Sequence, residues 1–78
     1  MCDETALNQM TQQINITLNG EPRRASAGSI AALVQEIGLD PAKVAVERNL
    51  VIVPRSTLAD VMLADGDVLE IVHFVGGG

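Results

Sequence analysis

One stretch of this sequence sets the architecture, because its apolar residues recur at helical spacing between segments that alternate like strands. Ile30, Leu33, Val34 and Ile37 fall at i, i+3, i+4 and i+7, a single stripe along one helix face. Ser29 stands before the stripe as an N-cap, its hydroxyl suited to accept from early helix N–H groups. Gly38 follows it and suits the left-handed position that ends a helix. Asp40-Pro41 then reads as a second cap followed by a first-turn proline, which predicts one short helical turn.

The flanking segments alternate with period two. Ile14, Ile16 and Leu18 interleave with Asn15 and Thr17, the pattern of a half-buried strand. Asn19-Gly20 is a type I′ turn signal, since both residues tolerate positive φ, so the chain returns antiparallel through 21–26. Pro22 lies in that return strand and belongs where a missing N–H does no harm. Residues 43–48 read as a strand, Asn49 as a tight turn, and Val51-Ile52-Val53 as a short strand stopped by Pro54. Residues 55–64 are irregular or a short helical turn, with Leu58 and Leu63 as core plugs. Asp65-Gly66-Asp67 is a turn, and 68–75 form the last strand.

This order, ββαβ(β)β, predicts an α+β domain of the ubiquitin-like β-grasp type. It has a mixed four- to five-stranded sheet with one main helix packed on one face. The first and last strands lie side by side and parallel near the centre, because the intervening helix gives a parallel connection its length. The expected organisation is a loose polar extension at 1–13, a β-grasp domain at 14–75 and a bare glycine tail at 76–78. With 78 residues there is room for one core only, and a domain of this size buries about 60% of the surface its unfolded chain exposes. Phe74 is the only aromatic residue, so Ile, Val, Leu, Met and Ala build that core.

Composition excludes several classes of function. A formal net charge of -5, with basic residues scattered apart from Arg23-Arg24, argues against nucleic acid. Cys2 is the single cysteine, so no internal disulfide forms, and with His73 as the one histidine no zinc site is built. A reducing, cytoplasmic setting fits this cysteine usage. No apolar run approaches the roughly 20 residues of a membrane span, and the expectation is no signal peptide and no membrane contact.

No catalytic constellation is present either. There is no glycine-rich phosphate loop ahead of a helix and no nucleophile–base pair. The carboxylates Glu47, Asp60, Asp65, Asp67 and Glu70 are assigned to turns and solvated faces, and His73 to a structural or surface role. What remains is Gly76-Gly77-Gly78, directly after a strong strand. Such a tail is predicted to be unpacked and narrow enough to thread a tunnel. The carboxylate of Gly78 becomes a useful electrophile only as a mixed anhydride with AMP, which a sulfur nucleophile then displaces. The chain would be the acyl substrate, and a separate enzyme would do the chemistry. A flexible tail with no such role is the other reading of the same glycines.

Three segments carry a family likeness: Val44-Ala45-Val46-Glu47-Arg48-Asn49, Val53-Pro54-Arg55, and Asp65-Gly66-Asp67 through Glu70-Ile71-Val72-His73-Phe74-Val75-Gly76-Gly77-Gly78. Over residues 14–78 the chain resembles the ThiS family of thiamine-biosynthesis sulfur carriers. The resemblance implies that an E1-like adenylyltransferase of the ThiF type uses ATP to make the Gly78 acyl-adenylate. The carrier itself binds no cofactor and no metal. A persulfide donor, charged ultimately from cysteine, converts the adenylate to a thiocarboxylate. A thiazole synthase of the ThiG type, a (β/α)₈ barrel, takes the sulfur into the thiazole ring of thiamine.

Strand alternation adds a surface to this picture. Leu69 and Ile71 share the core face, while Glu70, Val72 and Phe74 lie on the other, which a single helix leaves uncovered. Val72 and Phe74 are therefore expected to be partly exposed beside the tail and to dock a partner. Three alternatives stay open at this point. They are the small subunit of molybdopterin synthase, a carrier for another sulfur pathway such as cysteine synthesis, and a ubiquitin-like binding module that never reacts. Prolines just before the tail, a tendency of the molybdopterin branch, are absent here.

Overall fold

The structure, a computed structural model, describes residues 13–74. Five strands form one sheet: β1 (Gln13–Leu18), β2 (Glu21–Ser26), β3 (Val44–Arg48), β4 (Val51–Val53) and β5 (Val68–His73). Among the described residues one α-helix, α1 (Ile30–Glu36), crosses one face of the sheet, and short 3-10 turns occupy Pro41–Lys43 and Arg55–Thr57. The sheet order is β2-β1-β5-β3-β4. β5 is thus the middle strand, parallel to β1 on one side and antiparallel to β3 on the other.

The local signals act as expected. Ser29 Oγ accepts from the Ala32 N–H at 3.1 Å and starts α1, and Gly38, at φ +88°, ends it. Asp40 Oδ1 accepts from the Ala42 N–H at 2.9 Å and caps the 3-10 turn at Pro41. Asn19 and Gly20 both take positive φ, 51° and 85°, and close the β1–β2 hairpin. Pro22 falls on β2, an edge strand, where a proline is tolerated.

The core lies between α1 and the inner face of the sheet. Ile30, Leu33 and Val34 of the helix meet Ile14, Ile16, Ala25, Val44, Val46, Leu69 and Ile71, all buried. Leu58 and Leu63 close the ends of the layer, as their apolar character in an otherwise irregular segment predicts. Isolated pairing of Ser29 with Met62 and the Ile30 N–H bond to Val61 O (2.9 Å) hold that segment against the helix start.

Three details differ from the sequence reading. β1 begins at Gln13, which pairs with Ser26, one residue ahead of the expected boundary. β5 ends at His73 rather than running on to 75, although the Phe74 N–H still donates to Lys43 O at 2.8 Å. The β3–β4 turn places both Asn49 (φ 53°) and Leu50 (φ 72°) in the left-handed region. A leucine there costs roughly 1 kcal/mol relative to glycine. The rest of the proposed extension, residues 1–12, and the tail at Gly76–Gly78 lie outside the described residues.

The two turn asparagines also grip the central strand. Asn19 Oδ1 accepts from the Ile71 N–H at 2.8 Å and its Nδ2 donates to Ile71 O at 3.2 Å. Its side-chain amide thus acts as one more peptide group of β1. Asn49 holds the strand from the other side: its Oδ1 accepts from the Val68 N–H at 2.9 Å and its backbone N–H donates to Val68 O at 2.7 Å. Asn19→Ala leaves both Ile71 backbone groups without these partners. We expect a loss of about 2 kcal/mol, read as a lowered urea midpoint with an unchanged m-value.

Candidate functional site

β5 delivers the residues that matter, and its first residues are fixed by a buried carboxylate. Asp67 is 5% exposed, the only buried polar or charged residue among those described. Its Oδ2 accepts from Arg48 Nε and from the Ala64 N–H, both at 2.9 Å, and its Oδ1 accepts from Asn49 Nδ2 at 3.1 Å. Its backbone O accepts from the Thr17 N–H of β1 at 2.9 Å. The sequence reading of Asp67 as a solvated turn former is therefore corrected. Only Asp65 and Gly66 form the turn, where Asp65 Oδ1 accepts from the Asn15 N–H at 2.8 Å. Arg48 and Asn49 were legible as part of a motif but not as partners of Asp67.

Removal from water works to raise the Asp67 pKa. The hydrogen bonds from Arg48, the Ala64 N–H and Asn49, with the Arg48 charge, outweigh it and hold the carboxyl below its usual 3.8.

At its far end β5 presents an open surface. Leu69 and Ile71 point into the core, while Glu70, Val72 and Phe74 are exposed, as alternation predicts. Val72 is 59% exposed and Phe74 48%. Val72 lies opposite Ala45, and Glu70 lies opposite Glu47, which in turn lies opposite Ile52 of β4. Ala45, Val46, Glu47, Ile52, Glu70 and Val72 line a shallow open groove of about 150 Å³. The Glu47–Glu70 register places like charges directly across from each other, an arrangement that a sheet does not select for stability.

The root of the tail is braced. The Arg55 guanidinium lies 6.0 Å from the centroid of the Phe74 ring, and Arg55 Nη1 donates to Ala42 O at 3.2 Å. Arg55 closes the Val-Pro-Arg segment, and the structure shows what that segment does locally. Pro54 ends β4 and turns Arg55 toward the end of β5. His73 is exposed on β5, in register with Val44. Of the candidate site residues, the structure brings Val72 and Phe74 to the open face. Gly76, Gly77 and Gly78 fall outside the described residues.

A five-stranded mixed sheet with a central parallel β1–β5 pair and one covering helix defines a ubiquitin-like β-grasp domain. Comparison with known proteins narrows the class. The ThiS family model matches residues 6–78. The thiazole synthase of Paramagnetospirillum magneticum is 54% identical over 66 residues, 83% of this chain and 20% of that protein. The chain thus spans only about a fifth of the first curated relatives it matches. The sulfur carrier protein ThiS of Bacillus subtilis is 42% identical over 65 residues, 81% of this chain and 98% of that one. The crystal structure of the thiamine biosynthesis protein (ThiS) from Geobacter metallireducens superposes with a TM-score of 0.69. It is 29% identical, and the match covers 83% of this chain and all of that one. The chain belongs to the ThiS family.

The depressed Asp67 pKa gives a signed prediction. The folded value lies below the unfolded one, so this carboxylate adds stability above the usual 3.8, and that stability is lost as pH falls through the folded value. Asp67→Asn is expected to cost roughly 2 kcal/mol at neutral pH and to flatten the acid limb of a melting-temperature profile.

Proposed function

We propose that this chain is the sulfur carrier of thiazole formation in thiamine biosynthesis, a protein substrate rather than an enzyme. Membership of the ThiS family, with a match running through Gly78, is the observation that carries this reading. An E1-like adenylyltransferase transfers AMP from ATP to the Gly78 carboxylate and releases pyrophosphate. The outer sulfur of a persulfide then attacks the acyl carbon and AMP departs, leaving an acyl disulfide to the donor. A second thiol attacks the donor's sulfur, which breaks the S–S bond, forms a disulfide with the donor and releases the thiocarboxylate. Thiazole synthase withdraws the sulfur, and the carrier returns as the carboxylate. ATP is thus a co-substrate of the partner and not a ligand of this domain. No described helix is long and apolar enough to cross a membrane. The proposed cycle belongs to the reducing cytoplasm, where a thiocarboxylate survives.

The domain's part in this chemistry is presentation. Gly76 and Gly77 carry no side chains and suit a narrow passage to a buried active site, with Gly78 as the reacting residue. Phe74 and Val72 are exposed apolar residues shortly before those glycines in sequence, and they suit contact with the adenylylating enzyme. The Arg55 contact limits the rotamers open to Phe74.

Intact mass tests the cycle. Incubation with ATP, the adenylyltransferase, a persulfide donor and a thiol reductant is expected to add about 16 Da, oxygen replaced by sulfur, and deletion of Gly78 to abolish the gain. An unchanged mass for the intact chain would return it to the class of non-reacting ubiquitin-like modules. Phe74→Asp, at a half-exposed position, is expected to lower the kcat/KM of adenylylation about tenfold with the urea midpoint unchanged.

A further inference from the structure

The described residues contain two two-residue turns of the same left-handed kind, and they are built differently. Asn19-Gly20 gives the second position to glycine, at φ 85°. Asn49-Leu50 gives it to leucine, at φ 72°. Side chains at such a φ are disfavoured by the contact of Cβ with the following carbonyl. Burial offsets strain of this kind when the side chain is packed. Leu50 is 87% exposed, so its side chain gains no such compensation among the described residues. Val51 and Ile52 follow at 65% and 73% exposed. Three consecutive exposed apolar residues, the first in a strained conformation, mark a surface selected for contact rather than for folding.

The occupant can be specified. Ile52 adjoins Glu47 in the register, and Glu47 adjoins Glu70, so a pair of carboxylates lies beside the apolar tip on the open face. A second copy of this chain packed about a two-fold axis would set these carboxylates against their own equivalents, on a chain of net charge -5. The complementary surface is an apolar pocket rimmed by Lys or Arg. A segment 54% identical to this chain forms 20% of a thiazole synthase polypeptide, so in that relative a domain of this type is held permanently beside the rest of that protein. The tip also lies at the opposite end of β5 from the tail: Arg48 pairs with Leu69, whereas Val44 pairs with His73. Leu69 to Phe74 spans about 17 Å along the strand. A partner that holds the tip leaves the tail root free to enter a site.

We propose that Leu50, at the tip of the β3–β4 hairpin, anchors this domain in an apolar, basic-rimmed pocket of thiazole synthase, with Ile52 beside it and Glu47 and Glu70 facing the basic rim. The inference rests on the functional reading above and adds the surface by which that partner is held.

The test is a titration of the full chain against purified thiazole synthase, followed by calorimetry, with thermal unfolding of each variant measured in parallel. Leu50→Gly is expected to raise the melting temperature and weaken binding about tenfold or more, stability and affinity moving in opposite directions. Leu50→Met retains binding, because it keeps the apolar reach. Glu47→Gln with Glu70→Gln reduces the salt dependence of binding. Wild-type binding matched by Leu50→Gly would overturn the anchor and leave the functional reading intact. Absence of binding by the wild type would instead remove the partner itself, and the anchor with it. Self-association of the wild type that Leu50→Gly abolishes, with thiazole synthase binding unaltered, would also overturn the proposal, since the tip would then serve a second copy.

Discussion

The sheet depends on β5, and β5 depends on the carboxylate that precedes it. Asp67 is out of water, and an ionised group there is tolerated only because each of its oxygens accepts a hydrogen bond. The donors come from β3, from the turn after β3 and from the segment just ahead of β5. Its backbone carbonyl adds β1 to the set. The carboxylate therefore sets the position of β5 relative to both neighbours before any ladder hydrogen bond is counted. A neutral residue of similar size would fill the space without fixing that register.

Among the described residues a single helix covers one face of the five-stranded sheet and leaves the other open. On the covered face the side chains are aliphatic and closely packed, and the energetics are those of burial. On the open face the chain places Val72, Ala45 and Ile52 among two glutamates in opposed register, whose like charges work against the sheet. The division of labour follows. One side of β5 makes the domain stable, while the other, one residue out of phase, is available to partners.

Much of this was readable because it is local. The helix stripe, the Ser29 and Asp40 caps and the Asn19-Gly20 turn each depend on residues within a few positions of one another, where spacing and backbone preference decide. The alternation in β5 likewise announced that Val72 and Phe74 would be uncovered. Asp67 was misread because Asp-Gly-Asp has the composition of a solvated turn, and its partners Arg48 and Asn49 are 19 and 18 residues away. Leu50 was missed for the opposite reason. Leucine carries no preference for positive φ, so nothing in its type signals the turn position it occupies. The Arg55–Phe74 contact needs the tertiary path of the chain and has no sequence spacing of its own.

The sheet order has a consequence for how the domain comes into being. β1–β2 and β3–β4 are hairpins that can close early, but they share no pairing with each other; β5 alone joins them. The bonds from Asn19 to Ile71 bridge 52 residues, so the loop-closure entropy falls due in one late step. During synthesis β5 emerges after the other four strands of the sheet. A nascent or truncated chain lacking it holds two unconnected ribbons, and a ribbon of two strands is at best marginal alone. Assembly is thereby all-or-nothing, and a partner that grips the finished sheet meets only chains whose final strand is in place.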